Sequence, residues 1–320
     1  MSTKKIDVHC HLNPPFYMDA VVAHRGLPQL GRFPDSTVPT VLKMMDENGI
    51  EFSIPAVTFP GVHFMPPDVA RDIARRCNDF SAEQAAKWPK RFGGMGLVPM
   101  HDTKHAVAEI NYILDAVKLD GVCLFASYGE KFLGDPAFDP VLEALNDHDA
   151  VCFIHPTVSP SSRDLDLPYP ASLIEYTFDT TRAAVHLLFS GALKRYPRIR
   201  FLLSHAGGTL PFLAYRLSVL PWLIKRIPQL SREEIYDGLR QFYYDTALAA
   251  GPQTMGSLKT VAAPERILFG TDFPYTSVQV VEDEVKSLGE LEFDSAEQRV
   301  AVERTNSFAL FPRLRNLLGP

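Results

Sequence analysis

Long runs of a single character are what this 320-residue chain lacks. No stretch of Lys or Arg exceeds a pair, and 38 acidic against 32 basic side chains leave a formal net charge of −6. That balance excludes the basic face by which a protein holds nucleic acid or an acidic membrane surface. No apolar run approaches the ~18 residues from which a membrane span is read. The opening MSTKK leads straight into a strand pattern, with no apolar core of a signal peptide. Cysteine is scarce: Cys10, Cys77, Cys123 and Cys152 are far apart and form no CxxC pair. Three of them fall in apolar strand-like runs, where a thiol packs as a small hydrophobe. Reduced structural thiols in a cytoplasmic protein are expected, and catalysis by cysteine is not. No internal repeat or low-complexity linker divides the chain, so one domain over residues 1–320 is expected.

What is present is apolar material in a regular order. Hydrophobic residues make up 46% and charged residues 22%, enough to fill a large core. β-rich runs recur at 6–10, 52–57, 92–98, 121–125, 151–155, 199–205, 242–246 and 267–272. Several are apolar almost throughout, as parallel strands covered on both faces are. Amphipathic stretches at 37–48, 67–88, 104–117, 136–147 and 177–194 separate them, with Gly49 and Gly191 where helices should stop. Eight strands alternating with helices predict an α/β fold, a (β/α)8 TIM-type barrel. Residues 12–36, punctuated by Pro and Gly, are too long for a simple turn. We expect a lid-like insertion there, after the first strand.

In such barrels chemistry is carried at the C-terminal ends of the strands. Reading off those ends gives His9 and His11, His155, His205 and Asp272, each following an apolar strand core. Strand side chains alternate, so His9 and His11 should point one way and Cys10 the other. Imidazole nitrogens with a carboxylate oxygen suit a single divalent ion, zinc first, with manganese or iron also acceptable. A two-metal site would want a lysine at the end of the fourth strand, and Lys118 and Lys131 lie before and well beyond it. His105 and His148 read as surface residues. Phe59, Phe64, Phe178, Phe273 and Tyr275 could line a pocket for a ring, and Gly207–Gly208 permit close backbone approach after His205.

The motifs IDVHCH, RFGGMGLVPM, FIHPT, LSHAGGTLPFLAYRL, ILFGTDFPY and NSFALFPRL, in this order, resemble the amidohydrolase superfamily. The nearer likeness is to the branch of aminocarboxymuconate-semialdehyde decarboxylase, and within it to 6-methylsalicylate decarboxylase-like proteins. The strand-one motif is His-x-His where some decarboxylases of the branch have Glu-x-His. The resemblance implies His9, His11, His155 and Asp272 as metal ligands and His205 as general acid/base. It also implies Arg216 as a carboxylate-binding arginine that reaches the neighbouring subunit's site, hence a homodimer. A second arginine would come from the lid, either Arg25 or Arg32. The activity implied is metal-dependent, non-oxidative decarboxylation of a small aromatic or unsaturated carboxylic acid, with no nucleic acid or membrane partner. The same residues would also serve a hydrolase that attacks an amide, ester or lactone with metal-activated water.

Overall fold

The computed structural model describes residues 4–25, 33–160, 162, 165–166 and 168–319. Eight parallel strands form the barrel: β1 Lys5–His11, β2 Ile50–Ala56, β3 Met95–Leu97, β4 Gly121–Phe125, β5 Val151–His155, β6 Arg200–Leu203, β7 Tyr243–Asp245 and β8 Ile267–Leu268. They hydrogen-bond in sequence order. The ring closes between its last and first members, where Val8 N–H donates to Phe269 O at 3.0 Å and His11 N–H to Phe273 O at 2.8 Å. A small antiparallel pair, Ser127–Tyr128 with Lys131–Phe132, stands after β4. Among the described residues no helix is long and apolar enough to cross a membrane.

The alternation expected of strands sorts the core into two parts. Phe52, Ile54 and Ala56 of β2, Cys123 of β4, Val151 and Phe153 of β5 and Leu202 of β6 pack together inside the barrel. Their neighbours Val122, Leu124, Cys152, Ile154, Phe201 and Leu203 pack outward against the helices. The C-terminal segment contributes Phe308, Leu310, Phe311 and Leu314 to the inner cluster and so plugs the barrel floor. All four cysteines are free and buried, as expected.

β1 departs from simple alternation. Ile6 and Val8 join the inner cluster while Cys10 joins the outer one, and the pairing with β2 shifts register between Asp7 and Cys10. Such an irregularity changes which parity of side chains faces inward. It lets an apolar lower half of the strand be followed by two inward histidines.

Two expectations need correction. The extended ladders stop at Leu203 and Leu268, so His205 and Asp272 lie beyond the strands rather than at their last positions. Both have left-handed backbone, φ 53° and 55°. The other concerns residues 12–36, which contain a helix, Pro15–Arg25, and not only loop. Pro15 occupies its first position, where proline's missing N–H costs nothing and its φ is already helical. Residues 26–32, with Arg32, lie outside the described residues.

Candidate metal centre

Three strand ends bring histidines toward Asp272, which follows a fourth. One ligand-capable atom from each of His9, His11, His155 and Asp272 falls within 4.8 Å of the others, and all four residues are buried. His11 Nε2 is 2.9 Å and His9 Nε2 3.3 Å from Asp272 Oδ1. His205 Nε2 is 3.4 Å from the other oxygen, Oδ2. The rings of His9 and His11 stand edge to face with centroids 5.1 Å apart, and His155 lies 5.1 Å from His11. Thus the alternation read from the sequence, two histidines together and Cys10 opposite, is what the fold contains.

The donor pattern tests whether these residues suit a cation. Each Nδ1 faces an acceptor: His9 toward Asp245 Oδ2 at 2.8 Å, His11 toward Ala56 O at 3.1 Å, His155 toward Pro156 O at 2.9 Å. With hydrogen on Nδ1, each Nε2 presents a lone pair to the centre. His9 Nε2 is buried, and though near Asp272 it makes no hydrogen bond. Three imidazole nitrogens, each able to offer a lone pair, and one carboxylate are a ligand set for one divalent ion. The fourth strand ends in Phe125-Ala126 with no lysine, and Lys131 pairs with Asp135 at 3.4 Å on the hairpin. A single ion fits this arrangement.

Electrostatics point the same way. Burial disfavours a charged His9, but Asp245 and then Asp272 outweigh it and push its pKa up to about 10. Burial also disfavours the Asp272 carboxylate. The His9 charge and hydrogen bonds from His11 and His205 nonetheless hold it well below its usual range. His155 is held far below its ordinary value by burial and by the other histidines. The cluster therefore demands positive charge in its middle and takes a proton on His9 when nothing else supplies it.

Around this core, Asp7 ties β1 to the β8 turn. Its carboxylate accepts from the backbone N–H of His9 at 3.0 Å and from Thr271 Oγ1 at 2.8 Å. Tyr275 stacks edge-on against His11, with centroids 5.4 Å apart, and receives a hydrogen bond from Asn13 at 3.0 Å. A cavity of about 360 Å³ is lined by Phe125, whose ring is 6.0 Å from that of His155, and by none of the four cluster residues. Phe64, Phe125 and Tyr128 give it aromatic walls, and His63, Ser127 and Thr157 polar ones. Of the ring-lining residues expected, Phe64 is there and Tyr275 is at the cluster, while Phe178 is 38% exposed.

Arg216 is not gathered into its own chain's cluster. It is exposed on the helix Leu210–Leu223 that follows the His205 turn, and it joins no ion pair among the described residues. Arg25 ends the helix Pro15–Arg25. Sequence reading missed Asp245, whose strand was recognised but whose carboxylate looked like one more strand residue. It also missed the facing pair His63 and His101, with ring centroids 4.7 Å apart. The polar end of the apolar run before Asp245, the same signal that marked His155, was available to find it.

Comparison with known proteins places this geometry. A family model described as amidohydrolase matches residues 6–313. The chain is 36% identical, over 98% of both chains, to the 6-methylsalicylic acid decarboxylase of Penicillium expansum. It is 37% identical, over 97% of both, to the 6-methylsalicylic acid decarboxylase acuB of Aspergillus aculeatus. Among solved structures, the dihydroxybenzoic acid decarboxylase from Polaromonas sp. JS666, with bound manganese and the inhibitor 2-nitroresorcinol, matches with a TM-score of 0.84. Identity there is 25%, with 100% of both chains covered.

Proposed function

The chain belongs to the amidohydrolase family, and from that membership we propose that it is a carboxy-lyase, a metal-dependent non-oxidative decarboxylase of an aromatic, salicylate-like carboxylic acid. The observation that carries this reading is the cluster of His9, His11, His155 and Asp272 with His205 against Asp272. The hydrolase alternative is not favoured, because the full-length relatives are decarboxylases.

His9, His11, His155 and Asp272 would hold one divalent ion, zinc or manganese, since the mixed imidazole and carboxylate set accepts either. Such an ion supplies Lewis acidity toward a carboxylate and a neighbouring oxygen. The chain's own groups do the rest. When CO₂ leaves, the electron pair of the broken C–C bond stays on the ring carbon, and a proton must reach that carbon in the same event. Asp272 and His205, 3.4 Å apart, are the pair placed to deliver it. Phe125 and Tyr128, which wall the cavity, would restrict the ring from the sides.

Several features support a wider reading of the assembly. Phe212, Tyr215, Trp222 and Leu223 are 84%, 66%, 62% and 79% exposed on the helix that also carries Arg216. An apolar stripe of this kind is a surface for another chain. A homodimer in which Arg216 holds the substrate carboxylate in the neighbouring site accounts for both the stripe and a cation with no ion pair among the described residues. The helix Pro15–Arg25 would serve as part of a lid: Tyr17 is buried, and its hydroxyl donates to Thr58 O at 3.0 Å. Buried free thiols suit a cytoplasmic enzyme.

The test is a panel of hydroxybenzoates, with lactones and amides in parallel, on metal-loaded protein in D₂O. CO₂ release with deuterium on the ring carbon is expected. Uptake of oxygen-18 from water into a ring-opened product, without CO₂, would overturn the reading.

A further inference from the structure

Asp245, the last residue of β7, is fully buried, and among the described residues its carboxylate meets three N–H groups and no acceptor. Oδ2 lies 2.8 Å from His9 Nδ1. Oδ1 accepts the backbone N–H of His205 at 2.8 Å and that of Ala247 at 3.1 Å. Gly270 makes the close packing possible, because a Cβ there would meet His9 Cβ at 2.8 Å and Asp245 Cβ at 3.1 Å.

The two contacts serve different halves of the site. At His11 and His155 the Nδ1 hydrogen is fixed by backbone carbonyls, which no substitution at the acceptor removes. At His9 it is fixed by a side chain alone. An imidazole ligates through one nitrogen only while its other nitrogen carries the hydrogen, so the acceptor decides which nitrogen is free. On the other side, His205 and Ala206 have φ 53° and 55°, a region that non-glycine residues rarely hold without help. The N–H of His205 is anchored there by Oδ1.

We propose that Asp245 is a positioning residue that couples the metal-holding His9 to the acid–base His205, its two oxygens fixing the tautomer of one and the backbone turn of the other. The coupling requires a carboxylate. An asparagine has one acceptor and one donor, and the two backbone N–H groups at the Oδ1 position claim its oxygen. The amide hydrogens then face His9 Nδ1, which must accept, and the imidazole hydrogen moves to Nε2, the atom that should face the ion. The inference rests on the metal-dependent reading above, but zinc affinity is measured without any substrate, so the two can fail separately.

The experiment compares Asp245→Asn with Asp245→Ala by zinc chelator competition, then by turnover at saturating zinc. Zinc affinity should fall about 10–100-fold in both variants. At saturating zinc, Asp245→Asn, which keeps an acceptor for His205, should recover most of kcat, while Asp245→Ala should keep a deficit with little change in KM. Undiminished zinc affinity in Asp245→Asn, or full recovery of kcat in Asp245→Ala, overturns the proposal. Should either variant fail to fold, long-range ¹⁵N–¹H spectra of the zinc-loaded natural protein decide. His9 must carry its hydrogen on Nδ1 and bind through Nε2, and the reverse assignment overturns it.

Discussion

His11 Nε2 lies 2.9 Å from Asp272 Oδ1, although 261 residues separate the two along the chain. β1 and the turn after β8 meet only because the barrel closes. The carboxylate at this seam touches three histidines from one strand and a turn, and its loss should be felt at every step. Asp272→Asn is expected to remove turnover, by at least the ~10²–10⁴-fold that a positioned proton donor contributes. Metal content measured alongside CO₂ release separates a lost ligand from a lost proton donor. Normal turnover would remove Asp272 from the mechanism.

His205 stands one contact further out, on Asp272 Oδ2 and apart from the group of four. His205→Gln should therefore retain metal at one equivalent while kcat falls by about 10²–10⁴. Elemental analysis and steady-state kinetics on one preparation check both halves. Parallel loss of metal would make His205 a ligand instead.

Burial pushes Glu284, on the helix Val278–Glu290, up to about 9 from its ordinary 4.5, against the hydrogen bond it accepts from the Leu248 backbone N–H. Between those values the folded protein keeps the proton and the unfolded chain releases it. Stability from this group is therefore full below the lower value and declines as pH rises through the window, at about 1.4 kcal/mol per pH unit. Glu284→Gln removes the linkage. Urea unfolding at about pH 5.5 and about pH 8 should show a shallower decline in the variant than in the natural protein. Equal slopes would mean that Glu284 is ionised in the folded state.

The exposed stripe on Leu210–Leu223 makes a prediction about assembly. Trp222→Glu should shift the protein toward monomer in sedimentation, with its secondary structure intact. Co-expressing Arg216→Ala with Asp272→Asn, each inactive alone, should restore about one working site in four, because only a mixed dimer unites an intact Arg216 with an intact Asp272. Absence of rescue in a dimer shown to be mixed would place the role of Arg216 within its own chain.

By itself the sequence determined the order of strands and helices and four of the residues that meet at the centre. Apolar runs such as those before His155 and Asp272 announce buried parallel strands, and a polar residue at their far end has few structural reasons to be there. The reading failed where the cause was not local. Proline at 14 and 15 looked like loop punctuation, yet Pro15 starts a helix, because proline suits a first helical position as well as it suits a turn. The left-handed backbone of His205 and Asp272 left no mark, since neither is glycine. Only the tertiary structure decided the part played by Asp245. Its chemistry depends on lying within hydrogen-bond reach of His9, 236 residues away, and on facing donors alone. Periodicity sets which face of a strand a side chain occupies, but barrel closure sets which strand it faces, and that contact fixes where the proton on His9 resides.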